Sequence, residues 1–147
     1  MPAELERIAI RPAQAGDAPR VRELMLQLGY DVGTSEIVER LGASGPQFAL
    51  WVAEDAEAGV IGWIAITLTV RFVGGLRTEI EGFVVDESAR GRGVGARLLA
   101  SAEQWAREHG SRMIRLQSNV VRERAHRFYE THGYRKLKAQ FAIEKAL

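Results

Sequence analysis

Two carboxylates, a glycine-rich turn and a tyrosine are the residues of this chain best equipped for chemistry. Glu79 and Glu81 open the run E-I-E-G-F-V-V, which is otherwise apolar and reads as a strand ending near Val85. Strand periodicity predicts Glu79, Glu81, Phe83 and Val85 on one face. Carboxylates starting such a strand are costly to bury unpaired, so they belong at a wet cleft or beside a base. At a cleft, either acts as a general base, directly or through water. In the plainer reading they are solvated strand ends, or ion-pair partners of Arg71 and Arg77 across a hairpin. The two readings stand level.

After D-E-S-A comes Arg90, Gly91, Arg92, Gly93, Val94, Gly95 and Ala96, followed by apolar residues at the helical spacing Val94, Leu98, Leu99, Ala102, Trp105 and Ala106. Glycines between a strand and a helix leave backbone N–H groups unobstructed. The helix N-terminus adds unpaired donors and a favourable dipole, so the turn is suited to an anion such as phosphate. Arg90 and Arg92 add positive charge. Gly91, Gly93 and Ala96 also satisfy the dinucleotide pattern, but the acid expected about 20 residues on is absent. Arg112 and Arg115 stand there instead. There is no G-K-[ST], which excludes a Walker-type loop.

Arg90, Gly93 and Gly95 fit [RQ]-x-x-G-x-[GA], which resembles the acetyl-CoA signature of the GNAT superfamily of N-acetyltransferases. Downstream, N-V-V-R-E-R-A-H-R-F-Y-E-T-H-G-Y resembles that family's second signature, in family order and spacing. The opening I-R-P-A is similar to its usual first strand. The resemblance implies an α+β fold, a mixed, mostly antiparallel twisted sheet flanked by about four helices. It implies acetyl-CoA as co-substrate, with the pyrophosphate on Arg90–Ala96. Pantetheine would pair along the Phe83, Val84 and Val85 strand, and a backbone N–H there would polarise the thioester carbonyl. Asn119 and Phe128 fall in the cofactor's surroundings. Tyr129 matches the family's general acid; an ordinary tyrosine, with pKa ~10, is protonated at neutral pH and can donate to a leaving thiolate. Glu79 aligns best with a base that some members use, Glu81 second, and a water-mediated base stays open. Within the superfamily, E-I-E-G-F-V-V, A-R-G, S-N-V-V-R and A-H-R-F-Y are similar to the aminoalkylphosphonate N-acetyltransferases. Aminoglycosides, polyamines and amino acids stay open as acceptors.

At 147 residues the chain suits one domain, residues 1–147. Hydrophobic residues are 46% and charged residues 27%, ordinary for a soluble globular protein. No apolar run approaches the ~20 residues of a membrane span, and Glu4 and Glu6 do not suit a signal peptide. The chain has no cysteine, which excludes disulfides, thiolate metal sites and an acetyl-cysteine intermediate. No metal site is expected, and His126 and His132 read as helix residues or alternative bases. A cytoplasmic location is the default. Residues 1–87 hold 7 Arg/Lys against 14 Asp/Glu and residues 88–147 hold 13 against 5, balances of −7 and +8. The basic half is spread along helices and strands rather than blocked together, which fits a phosphorylated cofactor better than nucleic acid.

Together these point to an N-acetyltransferase moving an acetyl group directly to the primary amine of a small molecule in a ternary complex. A homodimer is compatible with this. The alternative is a non-catalytic CoA-binding sensor or partner-binding module, which would not need Tyr129 or both glutamates.

The supporting elements follow in order. Ile8–Arg11 is a first or edge strand, and Asp17 opens a helix with Val21, Leu24, Met25 and Leu28 on its buried face. A short helix from Ser35 to Leu41 ends at Gly42. Gln47–Glu54 and Val60–Val70 form a hairpin. Met113–Gln117 is a strand and Arg122–His132 a helix closed by Gly133. The alternating tail, Tyr134–Leu147, predicts two closing strands.

Overall fold

The computed structural model describes residues 7–147, and its contacts divide the chain into two units, Met1–Leu116 and Gln117–Leu147. Glu4 and Glu6 lie outside the described residues. In the first unit the apolar and alternating runs pair in chain order. β1 (Ile8–Pro12), β2 (Phe48–Asp55), β3 (Gly59–Arg71), β4 (Gly75–Val85) and β5 (Ile114–Leu116) build a sheet of order β1-β2-β3-β4-β5. The first three pairings are antiparallel and β4–β5 is parallel. A parallel pair needs a crossover, and α3 (Val94–Glu108) lies on it. With α1 (Ala18–Gln27), α2 (Thr34–Ala43) and α4 (Glu123–Thr131), the described residues form four α-helices. The α+β class and the mixed, mostly antiparallel sheet are as expected.

Two apolar layers hold the sheet. Ala18, Val21 and Leu24 recur every third residue on α1 and pack with Ile37 of α2 against Val52, Val60, Trp63, Ala65 and Val84. The Trp63 indole N–H donates to the Val21 carbonyl at 3.2 Å, so the polar edge of this buried ring is satisfied. α3 buries Val94, Leu98, Leu99, Ala102 and Ala106 and packs against β3 and β2. Its Trp105 meets Trp51 edge-on, with ring centroids 6.2 Å apart. The second helix runs further than expected, through Gly42 to Ala43. The positive φ needed to reverse the chain falls at Gly45 instead, and the Ser44 hydroxyl caps the Leu41 carbonyl at 2.8 Å.

In the second unit, the turn after α4 closes at Gly133, whose φ of 91° lets the Tyr134 N–H return to the Tyr129 carbonyl at 3.0 Å. The two closing strands do not form: residues 135–147 carry no regular secondary structure. Alternation supplies apolar side chains, but a strand also needs a ladder partner for its backbone. Phe141 and Ile143 are accordingly 95% and 91% exposed.

Candidate active site

The strand carrying the glutamates departs from simple alternation. Ile80 pairs with Ile66 and Gly82 with the adjacent Ala65, so Glu81 is an extra residue in a β-bulge. Directly opposed residues share a face. Glu79, opposite Thr67, therefore shares a face with Gly82 and Val84, opposite Ala65 and Trp63, while Phe83 and Val85 oppose Ile64 and Gly62 on the other. The expectation of Glu79, Glu81, Phe83 and Val85 on one face is thus corrected: the bulge resets the period. Its neighbour Gly82 has a separate cause. A Cβ there would stand 2.7 Å from Cζ3 and Cη2 of Trp63.

The two carboxylates differ in company. Glu79 has an 18% exposed side chain and lies between two guanidiniums, Arg77 Nε at 2.6 Å and Arg71 at 3.3 Å from Oε1. The Arg71 contact is a hydrogen bond, whereas the Arg77 Nε–H is not aimed along its short contact and counts as an ion pair. Glu81 is exposed, and no hydrogen bond or ion pair engages its carboxylate among the described residues. β5 ladders with β4 only from Thr78 to Ile80, while β4 runs on through Phe83 and Val84 to Val85.

Beyond β4 the chain enters a 3-10 turn, Glu87–Ala89, opened by Asp86. The Asp86 carboxylate accepts from Ser88 N–H at 3.1 Å and from Arg20 of α1. Its burial would raise the pKa; those hydrogen bonds outweigh that and lower it. Arg90 and Gly91 are exposed, and Gly91 and Gly93 take φ of 79° and 78°. Gly93 is the N-cap of α3, so the N–H groups of Val94, Gly95 and Ala96 belong to its first turn, where intrahelical acceptors are lacking. A Cβ at Gly91 would meet nothing within 4 Å, so the turn is open there. Arg92 is not a free flanking charge: its guanidinium is 3.2 Å from the Asp55 carboxylate at the end of β2.

The other predicted residues belong to the second unit. Asn119 Oδ1 accepts the Val121 N–H at 3.1 Å, bracing the turn before α4. Phe128 and Tyr129 stand edge to face, with centroids 5.5 Å apart. Burial pushes the Tyr129 hydroxyl up to about 12, against the opposing charge of Arg122. His126 Nε2 lies 3.1 Å from Ser118 Oγ, and His132 Nδ1 is 2.8 Å from the Phe128 carbonyl. Sequence reasoning missed Asp55, Arg20 and Asp86 as anchors of the glycine turn. An Asp before a polar turn was the one local signal: Asp55 Oδ1 does accept the Glu57 N–H, at 2.8 Å.

The family model for the acetyltransferase (GNAT) family matches residues 19–134. The chain belongs to that family. This GNAT protein is an N-acetyltransferase, in keeping with the relatives it matches. It is 42% identical over 69 residues to an aminoalkylphosphonate N-acetyltransferase of Salmonella typhimurium, spanning 47% of this chain and 44% of that one, less than half of either. It is 28% identical over 131 residues to an aminoglycoside N(6')-acetyltransferase type 1 of Stenotrophomonas maltophilia, covering 85% and 84%. The solved structure of AAC(6')-Iy with the bisubstrate analogue CoA-S-monomethyl-acetylneamine matches with a TM-score of 0.81 at 20% identity, over 95% of this chain and 99% of that one. At that identity the likeness is one of fold.

Proposed function

We propose that this GNAT acetyltransferase, working as a single domain of residues 1–147 in the cytoplasm, moves an acetyl group from acetyl-CoA directly to the primary amine of a small molecule. The observation carrying the reading is the turn from Arg90 to Ala96, where two glycines in left-handed geometry open onto the first-turn donors of α3. These residues fit a pyrophosphate, since a side chain at Gly91 or Gly93 would be strained. Acetyl-CoA supplies the activated acyl group as a thioester. β4 continues past the end of the β5 ladder through Phe83, Val84 and Val85, and this edge of the strand is proposed to pair with the extended pantetheine. With no cysteine in the chain, transfer in a ternary complex needs no acetyl-cysteine.

Glu81 is the proposed base. Its carboxylate has no competing cation among the described residues and stands on a bulge, a feature that re-aims side chains next to active sites. Glu79 is already engaged by Arg71 and Arg77, so it is proposed to organise those arginines instead. Tyr129, a phenol protonated at neutral pH whose burial raises its pKa further, is the proposed proton donor to the leaving sulfur, and Asn119 and Phe128 are proposed cofactor residues. The acceptor is a small amine of the kind named for the two relatives.

A screen of aminoalkylphosphonates, aminoglycosides and polyamines for CoA-thiol release finds the acceptor. On it, Glu81→Gln is expected to lower kcat by about 10²–10⁴-fold with acetyl-CoA affinity unchanged, and Glu79→Gln by far less. The reverse order rejects the assignment. No thiol release with any amine rejects the catalytic reading as a whole.

A further inference from the structure

We propose that Asp55 is a positioning residue for the cofactor turn, acting through Arg92. The inference rests on the reading of that turn as the pyrophosphate site. Asp55 lies at the far end of β2, with its side chain only 1% exposed. A carboxylate so buried must be paired and hydrogen-bonded, and it is. Glu57 and Ala58 donate backbone N–H groups at 2.8 and 3.4 Å, Arg7 Nε lies at 3.3 Å and Arg92 at 3.2 Å. Led by the Glu57 N–H, these contacts hold the carboxyl well below the usual aspartate range, so it stays ionised.

Arg92 sits between Gly91 and Gly93, both with positive φ. Glycines lose more conformational freedom on ordering than any other residue, so an untethered turn would spend binding free energy on being ordered. The Arg92 side chain ties this stretch to a buried, fixed point of the sheet. At the other end of the loop the Asp86 N–H donates to the Ile61 carbonyl at 2.8 Å, and its carboxylate is held by Arg20, whose Nε donates to the Val60 carbonyl at 2.7 Å. Arg20–Asp86 and Asp55–Arg92 thus fix both ends of the loop that delivers the helix N-terminus.

Charge alone argues for the opposite outcome, which makes the test decisive. Neutralising Asp55 removes a negative charge beside an anion site, so electrostatics predicts tighter binding of acetyl-CoA. Positioning predicts weaker binding. In Asp55→Asn we expect amide exchange at residues 91–96, measured without ligand, to rise about tenfold. The Kd for acetyl-CoA should weaken by about tenfold, the worth of one charge-assisted hydrogen bond at the low end. At saturating acetyl-CoA, kcat should hold within about twofold. Arg92→Ala should loosen the same amides, and adding Asp55→Asn to it should weaken binding no further. Arg7→Ala, which removes the other guanidinium, should lower Tm yet leave exchange at the turn unchanged. Equal or tighter binding in Asp55→Asn with unchanged exchange overturns the proposal, as does equal loosening in Arg7→Ala. Loosened amides with an unchanged Kd instead reject the pyrophosphate reading and leave the tether standing.

Discussion

Gly82→Ala tests why β4 carries a glycine beside its bulge. A methyl at this position would stand 2.7 Å from two carbons of the Trp63 six-membered ring, closer than real Cβ contacts come. Trp63 is 4% exposed and tied through its indole N–H to the Val21 carbonyl, so it has little freedom to retreat. Overpacking of this kind costs about 1–3 kcal/mol. Working against it, Gly82 is not among the glycines with positive φ, and alanine there restricts the unfolded chain, a gain of about 0.4–1 kcal/mol. The clash equals or exceeds the gain, for a net loss of up to about 2.6 kcal/mol, or up to roughly 10 °C in Tm for a chain this size. Thermal melts and urea titrations of Gly82→Ala measure it. The cycle with Trp63→Phe isolates the cause, since phenylalanine withdraws both offending carbons. In that background only the entropic gain is left, so Gly82→Ala should become neutral or slightly stabilising. A penalty of the same size in both backgrounds would refute the argument.

Gly93→Glu places a side chain and a negative charge at the N-cap of α3; calorimetry should show loss of acetyl-CoA binding with the far-UV spectrum unchanged, and equal affinity would remove the pyrophosphate assignment. Tyr129→Phe should lower kcat by about 10²–10⁴-fold with little change in acetyl-CoA affinity. Because burial raises the Tyr129 pKa to about 12, wild-type kcat should show no basic limb from this group up to about pH 10. The same shift adds stability that is fully present below the unfolded value of 10.0 and lost as pH rises towards 12. Denaturation of Tyr129→Phe should therefore show a shallower fall in stability across that window than the wild type.

The glycine turn was legible because its causes are local: an arginine, three glycines and a helical repeat fall within one short stretch. Strand and helix positions were legible for the same reason, to within a residue or two. The bulge was not. Its register is set by pairing between β3 and β4, and the close approach at Gly82 by a tryptophan on the neighbouring strand. One extra residue then reverses which face every later side chain takes. Arg92 failed as a free charge on the same ground, because its partner Asp55 is distant in sequence. The tail failed differently: alternation in Phe141 and Ile143 states a preference for a strand, but a ladder is a property of two segments.

The glutamates show what this distinction means for the chemistry. Arg71 and Arg77 beside this strand have two uses open to them, holding an anionic acceptor or neutralising the strand carboxylates. Both guanidiniums converge on one oxygen of Glu79. That cluster carries a formal charge of +1, and the exposed carboxylate of Glu81 brings the balance of the four residues to zero. A phosphonate would therefore have to compete with Glu79 for the same donors, whereas an ammonium approaching Glu81 displaces nothing. The geometry gives an anionic acceptor no support of its own, and what favours one is the match over 69 residues to the aminoalkylphosphonate enzyme. Glu81, whose carboxylate meets no cation among the described residues, is therefore the proposed place for the amine to bind and lose its proton.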